Sequence, residues 1–159
     1  MKQKELSVSL RVIVPLVAAA VIILAAVYIP LLGQNLAQQN PDRAALYTPC
    51  LITVWLSVLP VLAALVVAWF IFSDIGRDMS FSLRNAARLR LICYLAIADT
   101  ALYIAGAVLL AALNALHPGI LVVLLCVIFM GFFLSVAAAA LSHLTRKAAE
   151  LKAENDLTI

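Results

Sequence analysis

Four long apolar stretches divide this chain: residues 12–32, 51–72, 91–113 and 120–141, with short polar segments between them. Three carry no charged residue, and the third carries one, Asp99. The shortest has 21 residues; as a helix it is about 31 Å long, enough to cross a hydrocarbon core. The pattern predicts an all-α integral membrane protein. Short connections between successive spans predict an up-down-up-down four-helix bundle, a single domain covering residues 1–159.

The polar segments sharpen these boundaries. Residues 1–11 hold Lys2, Lys4 and Arg11 ahead of the first apolar run. That run is longer than the ~7–15 residues of a signal-peptide core, so it reads as an uncleaved span. Pro15 falls in its opening turns and Pro30 marks its far end. Residues 33–48 are amide-rich, with Asn40-Pro41-Asp42 as a turn signal. Pro49 opens the second span, and Trp55 and Trp69 lie near its two ends as an aromatic belt would place them. Pro60 predicts a kink whose freed backbone groups are met by neighbours such as Ser57. Ser80 or Ser82 can cap the helix that becomes the third span. Residues 114–119 form a tight turn. The tail, residues 142–159, continues outward as helix, with Arg146 and Glu150 at i,i+4.

Composition agrees: 66% of the residues are apolar and 12% charged, which leaves lipid as the solvent for much of the surface. Charge adds the orientation. Of the eleven basic residues, only Arg43 lies outside the N-terminus, the connector 74–90 and the tail. The positive-inside rule therefore expects both termini and the connector in the cytoplasm. Three cysteines without regular spacing make neither a disulfide framework nor a metal site.

Asp99 lies about 12 Å into the third span. Small or polar residues stand at similar depth elsewhere, and Gly131, Ser135 and Ala139 offer a small-xxx-small stripe for close helix approach. Asp99 is expected to face the bundle interior near Tyr103 and Ser135. It reads either as a proton or cation site, or as a neutral carboxyl acting as interhelical hydrogen-bond glue. His117 and His143 are roughly a bilayer apart, and no HExxH, GxSxG or P-loop motif is present, so no enzyme activity and no cofactor is expected.

Arg77, Arg84, Arg88 and Arg90 of the connector are placed at the headgroup level. They suit anionic lipid, at ~1 kcal/mol each, or an acidic or helical protein partner. Direct nucleic-acid binding is not expected, because exposed aromatics do not interleave with the arginines.

The connector's MSFSLRNAARLRLI and the terminal AAELKAENDLTI resemble the YoaS-like family of small four-span bacterial membrane proteins, a family of unknown function. The matching positions are Phe81, Ser82, Asn85, Arg88 and Leu89, and the ending Glu154, Asn155, Asp156, Leu157, Thr158 and Ile159. The resemblance implies no enzyme activity, cofactor or ligand. Its members are often encoded beside a small helix-turn-helix regulator, which points to a membrane-bound partner of a transcription factor. The expected docking surface is Arg77, Phe81, Ser82, Arg84, Asn85 and Arg88 together with that ending. The alternatives are a small transporter or channel subunit, a homo-oligomer with an ion path past Asp99, and a structural subunit of a larger membrane complex.

Overall fold

The structure, a computed structural model, describes residues 3–77, 79–116 and 118–156. Its elements are α1 (Gln3–Ile23), a π-helical turn (Leu24–Tyr28), α2 (Ile29–Gln39), a 3-10 turn (Pro41–Leu46), α3 (Tyr47–Ile75), α4 (Leu83–Ala112) and α5 (Pro118–Asp156). The fold is all-helical, and four helical stretches are long and apolar enough to cross a membrane. Their apolar windows are hardly buried within the protein, 0% in the case of α4. Such side chains need lipid around them.

Proline shapes the first stretch in a way the apolar run alone does not reveal. Pro30 does not end the helix, and residues 33–39 of the expected loop are helical. The N–H of Ile29 reaches back five residues to Leu24 O. In that register the next carbonyl, Ala25 O, would meet the nitrogen of Pro30, which carries no hydrogen. The indole N–H of Trp55 takes the freed oxygen at 3.0 Å. The π turn thus places the missing donor where a neighbouring helix supplies one, and α2 continues. It stops at Asn40, whose backbone N–H and side-chain Nδ2 both donate to Leu36 O, at 3.0 and 3.1 Å.

α3 runs through Pro60 without interruption. Ser57 does not serve the backbone there as expected. Its hydroxyl donates to Val54 O at 2.9 Å and lies 2.9 Å from the Tyr103 hydroxyl. A serine has one hydroxyl proton, so Tyr103 is the donor in that second contact.

Polar pairs fix the relative directions of the helices. Ser7 and Arg11 meet residues at the C-terminal end of α3, whereas Trp55 near its start meets Ala25. Arg88 reaches the end of α3 while Tyr103 pairs with Ser57. Ser142 donates to Ala86 O at 2.7 Å, and Gly131 lies against Thr100. Each neighbouring pair is antiparallel. The start of α1, the end of α3, the start of α4 and the end of α5 therefore share one end of the molecule, hereafter the connector end. Packing is serial: α1 on α3, α3 on α4, α4 on α5, the last contact being the most extensive. Among the described residues, no close backbone approach joins α1 to α4 or α5.

The α4–α5 seam is built from small residues, with one shift from the expected stripe. Ser135, Ala138 and Thr145 are buried but Ala139 is exposed. Each four-residue step advances about 40° around a helix, so the buried line moves from Ser135 to Ala138, then past half-buried Ser142 to Thr145.

Candidate functional site

The connector folds back on itself around one asparagine. Ser82 has extended backbone and caps α4, its Oγ accepting from the Asn85 N–H at 3.2 Å. Asn85 is only 1% exposed. Its Nδ2 donates to Met79 O and Ser80 O, at 3.0 and 3.3 Å. Its Oδ1 accepts from Arg88 Nη1 at 2.9 Å. The same nitrogen donates to Asp74 Oδ2 at 2.6 Å and Phe70 O at 3.3 Å, and the guanidinium lies 5.4 Å from the centre of the Phe70 ring. Asp74 is 5% exposed; its backbone oxygen accepts from the N–H groups of Arg77 and Met79. The amide of Asn85, the guanidinium of Arg88 and the backbone oxygen of Asp74 thus satisfy the backbone of a chain reversal that would otherwise strand its polar groups, while the Asp74 carboxylate pairs Arg88.

α1 closes the same end. Ser7 Oγ donates to Phe72 O at 2.7 Å, and Arg11 Nη2 donates to the backbone oxygen and Oγ of Ser73 at 3.1 and 3.0 Å. Gly76 is required by this approach: a Cβ there would stand 2.6 Å from Ser7 Oγ. Ser142 adds α5 through Ala86 O. Between α4 and α5 a groove opens, lined among others by Arg90, Tyr94, His143 and Arg146. Arg90 Nε donates to the Tyr94 hydroxyl at 2.8 Å and Arg146 Nε to Glu150 at 2.8 Å, so both arginines keep further donors free to face it.

Among the described residues, no hydrogen bond joins Asp99, Tyr103 and Ser135 to one another. Tyr103 bonds Ser57, and Ser135 is buried with its hydroxyl donating to Phe132 O at 2.7 Å. Among the described residues Asp99 bonds neither of them, and its buried Oδ1 has no hydrogen-bond partner. Of the expected docking residues, Asn85 and Arg88 are turned inward and used up, because the reversal needs their polar atoms. Ser82 is likewise occupied as the cap. Arg77, Phe81 and Arg84 are exposed, Phe81 at 62%. Glu154 and Asn155 are exposed on the last turn of α5, which also contains Asp156, while Leu157, Thr158 and Ile159 lie outside the described residues. Asp74, Arg11, Ser7 and Ser73 belong to this end too, and a reading for exposed charge passes over them. The one available signal is that Asp74 is the first charge after a 22-residue apolar run, with four arginines in the connector that follows.

Comparison with known proteins agrees on class. Residues 31–159 match the family described as protein of unknown function (DUF2975). The chain is 27% identical over 155 residues to the "Uncharacterized membrane protein YoaS" of Bacillus subtilis (strain 168), covering 96% of this chain and 97% of that one. No solved structure matches.

Proposed function

From the premise that the chain belongs to the DUF2975 family and is a membrane protein, we propose that it is a non-enzymatic scaffold of the bacterial inner membrane. In this reading its connector end faces the cytoplasm and holds a regulatory protein, such as a helix-turn-helix regulator, at the membrane. One observation carries the reading. α5 continues as helix to Asp156, fifteen residues beyond the last apolar run, about 22 Å. On this stalk Leu144 and Leu151 are 62% and 66% exposed and stand seven residues apart. Two turns of helix bring them to nearly the same face. A leucine pair on a charged helix beyond the hydrocarbon is a seam for a partner's apolar groove or helix. The pinned connector holds Phe81, Arg77 and Arg84 nearby as a second contact, and its basic residues engage anionic lipid.

The test is capture of stoichiometric partners from membranes. The double variant Leu144→Glu/Leu151→Glu and a deletion of residues 154–159 both insert into the membrane and both lose the partner. Undiminished capture by the double variant removes the stalk from the account.

The unpartnered Asp99 Oδ1 favours a second reading, an oligomeric transporter or channel subunit with a proton or cation site there. Ion flux in proteoliposomes that disappears in Asp99→Asn selects it over the scaffold.

A further inference from the structure

At the end of the molecule opposite the connector, a cavity of about 460 Å³ lies among α2, the 3-10 turn, the start of α3 and the turn after α4. Its size falls within the range of small-ligand sites. The break at Asn40 builds it. Beyond that residue the chain turns through Pro41–Leu46 and enters α3, whose first residue, Tyr47, packs so closely on Gly33 of α2 that a Cβ there would lie 2.6 Å from its ring. The wall is apolar, with Leu36, Ala37, Leu51 and Val54 among its residues, and it carries a single charged side chain, Arg43.

Arg43 is anomalous twice. It is the one basic residue of eleven outside the N-terminus, connector and tail. It is also exposed, and among the described residues no hydrogen bond or ion pair engages its guanidinium. Asp42, its neighbour in sequence, does not line the cavity, nor among the described residues does any other carboxylate. A cation without a counter-ion at an apolar cleft, where the membrane-crossing runs end, is complementary to an anion that brings an apolar chain with it.

We infer that this cavity binds an anionic phospholipid of the surrounding bilayer, its phosphate on Arg43 and one acyl chain in the cleft beside Ala37 and Val54. An arginine provides several donors for phosphate oxygens. The apolar walls supply the rest of the binding free energy through chain burial. The occupant comes from the bilayer because the apolar runs 12–32 and 51–72 end among the lining residues, at Ile29, Leu51 and Val54. The inference is independent of the scaffold reading, since it concerns the other end of the molecule.

The experiment is lipid titration of the purified full-length protein in detergent, read by native mass spectrometry with phosphatidylglycerol and phosphatidylcholine as probes. The wild type retains phosphatidylglycerol preferentially. Arg43→Gln weakens that binding roughly tenfold, the loss of a charge-assisted contact, and leaves phosphatidylcholine unchanged. Ala37→Phe fills the cleft without altering charge and removes the bound lipid, which keeps the test alive if the Arg43 variant fails to fold. Equal retention of both lipids by the wild type overturns the inference. So does wild-type affinity in every folded variant of the pair Arg43→Gln and Ala37→Phe. Occupancy by free laurate that phosphatidylglycerol cannot displace overturns it as well, since the ligand would then be a soluble amphiphile.

Discussion

The two ends of this molecule join the same helices by opposite means. At the connector end every neighbouring pair is tied by polar groups: Ser7 and Arg11 from α1, Asp74 with Arg88 between α3 and α4, Ser142 from α5. At the far end the ties are an indole on a proline-freed carbonyl and an aromatic ring against a glycine, and a cavity with an unpaired arginine remains beside them. In lipid, the hydrophobic effect does not by itself favour one helix pairing over another, because the tails are as apolar as leucine; close packing and polar pairs do. Polar pairing at one end therefore specifies the topology. The other end is free to leave space.

The sharpest way to break this contrast is Arg88→Ala, which strands the Asp74 carboxylate at 8% side-chain exposure. The expected loss is about 3–5 kcal/mol, seen as a large drop in the thermal unfolding midpoint in detergent. A wild-type midpoint would show that the connector is not what holds α3 to α4. Gly131→Leu comes next. Thr100 already stands where a Cβ would go, so α4 and α5 are forced apart at a cost of about 1–3 kcal/mol; a spin-label distance across the seam increases. Ser82→Ala removes the cap of α4 and costs about 1 kcal/mol, with hydrogen exchange rising first at residues 83–86. Trp55→Phe keeps the ring but orphans Ala25 O, at about 1 kcal/mol. Its effect is expected at the far end alone, with exchange at the connector unchanged. Smallest is Arg146→Gln, which breaks a solvent-exposed i,i+4 pair and leaves the unfolding midpoint where it was.

Much of the architecture was legible from the apolar runs, because a span's length and lack of charge follow directly from bilayer thickness. The four stretches, the cap at Ser82, the helical continuation of the tail and the Arg146–Glu150 pair are read from local pattern. The extension of the first helix past Pro30 was not, since it depends on a donor from Trp55, far away in sequence. The same holds for Asn85 and Arg88. Their types suggest a charged face, yet only the three-dimensional course of the reversal shows that their polar atoms are spent on Asp74, Met79 and Ser80. Asp99 was legible as an anomaly. The bonding around it was not: Tyr103, its expected neighbour, pairs instead with Ser57 of α3, which no periodicity connects to it.

The central claim is that the polar, tightly tied end faces the cytoplasm and the end with the cavity faces away. Single cysteines introduced by Arg77→Cys at the connector and Asn40→Cys at the far end, both exposed positions, test it in a chain with its three native cysteines replaced by serine. With a membrane-impermeant maleimide on intact spheroplasts, the thiol at position 40 is labelled at once and the thiol at 77 only after permeabilisation. The reverse order would put the stalk of α5 outside the cell, out of reach of any cytoplasmic regulator, and contradict the account.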